Sequence, residues 1–275
     1  MTTASNVLSG AFAVLGVASA MTKAHGETGP LDPVVVAKLA TALLGAQGII
    51  SILCTEASIK AYCPNYSSTT LEVITIVELQ GYLQLSTFVT AFLLLFYDVD
   101  LNVSLAYGLV PGIVAASAYL INGVPDKIGI KDTGHKTILA VYSIVVYGLL
   151  TDAGWAATAY KVTIGIATLR DTIQRIDPNR GMELYGGTKG EPLDAQTSWF
   201  FKGMSESGIY RSVQALALCS GVDVLTSIGY AWAVGIVLFT NSLFVEKSFE
   251  QVKVDPSSFY PWYVLCFVVA GTLLL

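Results

Sequence analysis

Long apolar runs separated by brief polar punctuation dominate the chain. From Leu85 to Tyr97 it reads LSTFVTAFLLLFY, and from Leu101 to Ile121 it reads LNVSLAYGLVPGIVAASAYLI without one ionisable acid or base. A helix of the second length rises about 30 Å, the thickness of a bilayer's hydrocarbon core. The same pattern predicts spanning helices over 5–22, 34–54, 71–97, 101–122, 137–158, 197–220, 222–245 and 259–275, with 197–220 the weakest. Turn chemistry supports the boundaries. Gly29-Pro30 and Asp32-Pro33 separate the first two, Asn122-Gly123 and Pro125 close the fourth, and Asp255-Pro256 precedes the last. The fold class read from this pattern is an all-α integral membrane protein of seven to eight transmembrane helices, forming a single domain over residues 1–275.

One segment breaks the pattern. Residues 162–177 place Ile166, Leu169, Ile173 and Ile176 at helical spacing, with Arg170, Asp171, Gln174 and Arg175 between them. This is an amphipathic helix stopped by Pro178, and it is expected to lie on the membrane surface or to extend the fifth span into water. Together with the Gly-rich polar stretch that follows, it makes 161–196 the one substantial extramembrane segment.

Two parts of the chain align without a gap. Val99-Asp100-Leu101 matches Val222-Asp223-Val224, Tyr107 matches Tyr230, and Gly112 and Gly148 match Gly235 and Gly271 at equal spacing. A fainter match joins Asn6-Val7 to Asn102-Val103, which favours a retained first helix over a cleaved signal. The expected organisation is three helical hairpins, 5–54, 101–158 and 222–275, joined by single helices 71–97 and 197–220. Three crossings per unit would invert successive hairpins, as in many secondary transporters.

Composition agrees with a lipid-facing exterior. Hydrophobic residues make up 53% of the chain and charged residues 13%, about half the charged share of soluble domains. A net charge of −5 argues against nucleic acid as a partner. On the eight-span reading, positive charge is split between the faces. Lys23, Arg170, Arg175, Arg180, Lys189, Lys247 and Lys253 lie on one side, and Lys60, Lys127, Lys131 and Lys136 on the other. Cys54 and Cys63 are close enough in sequence to be bridged, while Cys219 and Cys266 read as small core residues.

Residues able to carry chemistry are few. Glu78 and Gln84 in helix 71–97 and Asp152 in helix 137–158 are the candidate intramembrane polar site, because a carboxylate at membrane depth is costly unless paired, protonated or functional. Gly108, Gly112, Gly148, Gly235 and Gly271 are candidate helix-packing positions, with Gly108 and Gly112 forming a GxxxG. The only histidines, His25 and His135, stand in polar loops, and no nucleophile–base pattern appears. No catalytic or metal residue is assigned, and the sequence names no cofactor. Tyr97, Trp155, Tyr160, Trp199, Tyr260, Trp262 and Tyr263 fall near helix ends and read as interfacial belts, which leaves contact with lipid or pigment compatible with them. The expected function is non-enzymatic: an accessory or scaffold subunit of a larger membrane complex, with the bilayer and other membrane subunits as partners. The alternative is a small secondary transporter or channel built on inverted repeats.

Overall fold

The computed structural model describes residues 32–63, 70–184 and 192–275, and among them the chain is helical with no strand. The helix expected over 5–22 lies outside the described residues. The described helices are α1 (Pro33–Leu53), α2 (Thr55–Tyr62), α3 (Leu71–Tyr97), α4 (Leu101–Ile121), α5 (Val124–Lys127), α6 (Thr133–Leu150), α7 (Ala156–Ile176), α8 (Pro178–Leu184), α9 (Ala195–Cys219), α10 (Val224–Thr240), α11 (Ser248–Gln251) and α12 (Tyr260–Leu274). A π-helical turn, Asn241–Val245, continues α10, and a 3₁₀ turn, Pro256–Phe259, leads into α12. Among the described residues, six stretches are long and apolar enough to cross a membrane: Pro33–Leu53, Leu71–Tyr97, Leu101–Ile121, Thr133–Leu150, Val224–Val245 and Pro256–Leu274.

Local chemistry sets the helix starts. The carboxylates of Asp32, Asp100, Asp194 and Asp223 accept first-turn backbone N–H groups of α1, α4, α9 and α10, satisfying donors that a helix cannot satisfy itself. Where backbones meet closely, glycine replaces larger residues: a Cβ on Gly48 of α1 would lie 2.9 Å from the Gly81 carbonyl oxygen of α3.

The eight long helices run antiparallel to their chain neighbours, and their ends fall into two sets. Leu101, Ala153, Cys219 and Val224 gather around one buried cluster, so the links 98–100, 151–155 and 220–223 share one end of the bundle. Ile59, Val73, Phe200, Phe249 and Phe259 gather around another, which places the longer connections at the opposite end.

Two expectations are corrected here. First, the amphipathic segment packs into the bundle by its polar face. α7 packs antiparallel along α9, from Tyr160 and Ile164 beside Ala215 and Leu218 to Asp171 against Gly208. Its polarity is inside out. Asp171, Gln174 and Arg175 are buried, while Val162, Ile166, Leu169 and Ile176 are exposed. Helical spacing alone reports two faces and cannot say which one meets the protein. Second, the helix expected over 137–158 ends at Leu150, and the links 151–155 turn the chain back into α7.

That extra antiparallel helix changes two further readings. α4 and α10 start from the same end, so any repeat relation between 101–158 and 222–275 is parallel rather than inverted. The lysines and arginines of the described links also sort by end, while aspartates occur at both. The links 98–100, 151–155 and 220–223 hold Asp98, Asp100, Asp152 and Asp223 and no lysine or arginine, whereas Lys60, Lys127, Lys131, Arg180, Lys247 and Lys253 all lie in connections at the opposite end. Among the described residues the expected split is reduced: Lys38, over the Phe96 ring, and Lys161 still stand in helix turns near the aspartate end, and Lys23 and Lys189 lie outside the described residues.

α9 explains its own weak hydropathy. From Gln196 to Cys219 none of its residues is exposed. It is the central helix, packed against α3, α7 and α10, and its polar residues face protein rather than lipid.

Candidate functional site

Polar side chains of α3, α7, α9 and the π turn converge inside the bundle. Arg175 of α7 is its hub. Its Nε donates to Glu206 Oε1 at 2.6 Å, its Nη1 to Glu246 Oε1 at 2.7 Å and its Nη2 to Ser242 Oγ at 2.8 Å. Lys202 Nζ reaches the other oxygen of Glu246 at 2.8 Å, and Asn241 Nδ2 donates to Glu246 Oε1 at 2.6 Å. Two cations and two carboxylates cancel, and each carboxylate is multiply hydrogen-bonded, which is the condition under which such a cluster is tolerated away from water. Burial alone would push the Glu246 carboxyl up, but Lys202 and Arg175 outweigh it and hold it below the usual range. The π turn matters locally: it supplies Asn241 and Ser242 directly ahead of Glu246, and such turns are frequent at functional sites.

Next to this cluster lies a cavity of about 180 Å³ between α1, α3, α9, α10 and α12. Aromatic and polar side chains share its walls. Trp199, Tyr210, Trp232, Phe239 and Trp262 line it, with Tyr62 and Phe259 at one end. Its polar atoms come from Gln47, Gln80 and Gln84 on one side and from Lys202, Glu206 and Ser242 on the other. Gln47 Nε2 donates to Tyr62 Oη at 2.6 Å, leaving Gln47 Oε1 buried without a partner, and Gln84 Oε1 is likewise unpartnered. A buried amide oxygen without a partner is costly, and both belong to residues that line the cavity.

Two glycines keep the cavity open. Gly203 of α9 and Gly235 of α10 both line it, and a Cβ on either would meet nothing closer than 3.9 Å. Glycine inside a helix costs about 1 kcal/mol relative to alanine. Here no close backbone approach requires it.

The residues singled out from sequence fall in different places. Gln84 lines the cavity, whereas Glu78 is half-buried on another face of α3 and accepts from Tyr119 Oη at 3.1 Å. Asp152 is not an interior group. It is exposed in the link after α6, at φ 51°, and accepts from Asn102 Nδ2 at 3.2 Å. Gly108 lies against Thr90 and Gly112 against Tyr142, so the GxxxG face is occupied within the chain, and Gly148 supports the Trp155 ring. Gly235 faces the cavity, and a Cβ on Gly271 would meet nothing within 4 Å. Two of the aromatics read as interfacial belts, Trp199 and Trp262, line the cavity. All four cysteines are free, including Cys54 and Cys63.

The sequence reading missed the group that organises the site. Arg175, Lys202, Glu206 and Glu246 come from three separated segments, and Trp232 stands in an apolar run with no mark of its own. The available signal was the polar content of 197–220, in which Lys202, Glu206 and Arg211 recur within an otherwise helical pattern. Among the described residues, no group of three or more His, Cys, Asp or Glu is close enough to hold a metal ion. No protein-family model matches the chain, and neither a curated protein nor a solved structure shows significant similarity to it.

Proposed function

We propose that this chain is a non-enzymatic multi-span membrane protein whose eight long described helices all cross the bilayer, and that it carries a small uncharged amphipathic solute in its aromatic cavity. The observation that carries the proposal is the cavity itself, with its two unpartnered amide oxygens and its unforced glycines. Its volume of about 180 Å³ exceeds the roughly 150 Å³ known to admit a benzene-sized guest. The charges at its wall cancel, which disfavours an ionic ligand. A single-ring molecule bearing hydrogen-bond donors fits this lining.

The crossing of α7 is supported by its outward apolar stripe and by the sorting of charge that it produces. The positive-inside rule counts lysine and arginine in short loops. It sets the lysine-bearing end on the cytoplasmic side or its organellar equivalent, and the aspartate-bearing end across the membrane. Parallel duplication of the hairpins 101–158 and 222–275 fits this topology.

Three of the four tryptophans line the cavity, so intrinsic fluorescence reports on it directly. A panel of single-ring phenols, amides and quinones titrated into the purified protein should include compounds that quench saturably. The same compounds should be taken up by proteoliposomes. Linear, unsaturable quenching across the panel would contradict the proposal.

A second role, as an accessory or scaffold subunit of a larger membrane complex, is supported by a different observation. Gly271 of α12 has open space where a Cβ would point, with half-exposed Phe267 one turn away. A partner helix could approach there. Gly271→Leu would then release partners in a co-purification without altering ligand quenching.

A further inference from the structure

A second, smaller cavity of about 40 Å³ lies on the neighbouring faces of α3 and α9, between them and α4, α6 and α7. Its polar lining comes from Tyr82, Ser86, His135, Tyr142, Arg170 and Arg211, and no carboxylate lines it. Arg170 is matched: its Nε and Nη2 donate to Asp171 Oδ1 at 3.1 and 2.9 Å. Arg211 is not. It is only 5% exposed, it forms no ion pair among the described residues, and its one hydrogen bond is Nη1 to Tyr142 Oη at 3.4 Å. Its Nε and Nη2 are buried without partners, as are Ser86 Oγ and His135 Nδ1.

Each group has a definite chemical preference. A guanidinium has five N–H donors, no acceptor, and never loses its charge. Because Tyr142 Oη accepts from Arg211, its own proton is directed elsewhere. Ser86 supplies a further hydroxyl. The cavity is therefore rich in donors, and beside it two guanidiniums, Arg170 and Arg211, share the single carboxylate of Asp171, which leaves one positive charge over; an unbalanced buried charge is costly. The space would hold about three waters, or one ion of halide size with water beside it. Water alone would satisfy the hydrogen bonds and leave the charge.

We infer that this cavity binds a small monovalent anion of chloride size, held by Arg211, Ser86 and Tyr142. The site is separate from the aromatic cavity and does not depend on what that cavity carries.

The test uses the full purified chain in detergent, with chloride replaced by gluconate at constant ionic strength. Thermal midpoints of the wild type should rise saturably with chloride and stay flat with gluconate. Arg211→Lys should raise the half-saturating chloride concentration about tenfold or more, as expected for disturbing a charge-assisted hydrogen bond. Ser86→Ala removes a hydroxyl that has no protein partner, so it should fold normally and still weaken the chloride response. Equal midpoints in the two salts for the wild type, or one chloride response shared by the wild type and Ser86→Ala, would overturn the inference.

Discussion

Arg175 on α7 and Glu246, just beyond the π turn, meet at 2.7 Å across 71 residues of sequence. This pair, with Glu206 at 2.6 Å from the same guanidinium, ties the inside-out helix to the cavity wall. Arg175→Met leaves two carboxylates short of their cation. Removing one partner of a buried pair costs about 3–5 kcal/mol. Glu206 and Glu246 keep 26% and 24% of their side-chain surface exposed, so the lower end applies, about 3 kcal/mol. Unfolding of the detergent-solubilised variant measures this loss. A double-mutant cycle with Glu246→Gln should return a coupling of about 1–3 kcal/mol.

The glycines of the bundle divide into two kinds, and substitution separates them. Gly235→Ala adds a methyl group to open space and removes the helical cost of glycine, so it should stabilise the fold by up to about 1 kcal/mol. Gly108→Ala drives a methyl group into Thr90 and should destabilise by about 1–3 kcal/mol. Paired unfolding midpoints read both signs in one experiment.

Ile166 is the central residue of α7 and is 66% exposed. On a water-facing surface helix, Ile166→Lys would be harmless. At the lipid-facing centre of a spanning helix, a lysine costs about 2.5–3.5 kcal/mol on the insertion scale. The variant should therefore lose membrane-integrated, folded protein, measured by carbonate extraction and size-exclusion profile. Lys161→Ala near the helix start should not.

Asp223 caps α10, and its hydrogen bonds with Thr226 hold its carboxyl below the usual range. A depressed carboxylate contributes stability above its unfolded pKa and loses it as the pH falls through the folded value. Asp223→Ala should cost about 1 kcal/mol at neutral pH. The difference from the wild type should persist down to about pH 4 and close below it. Melting curves of both proteins across that range give the comparison.

Much of the architecture was readable because lipid imposes length and apolarity on the helices that face it. Asp100 and Asp223, matched in the internal alignment, cap the starts of α4 and α10. The reading failed where a helix faces protein instead. The interior position of α9 lets it carry Lys202, Glu206 and Arg211, which makes it look weak as a span. α7 shows one apolar and one polar face, and periodicity is the same whether lipid or water lies outside. Setting α7 apart from the bundle, rather than antiparallel along α9, gave the inverted orientation expected for the repeat. Gln84 was singled out as polar at membrane depth and does line the cavity. Asp152 was singled out for the same reason, but the chain turns at 151–155 and carries it to the surface.

The most direct test of a ligand-carrying cavity is native mass spectrometry of the protein extracted gently from its own membrane, for the wild type and for Gly235→Leu. The larger side chain fills the cavity from a position where a Cβ has room. The account predicts a discrete small-molecule adduct on the wild type and its loss from a variant that is folded and at least as stable. A wild type without an adduct, or one retained unchanged by Gly235→Leu, would contradict it.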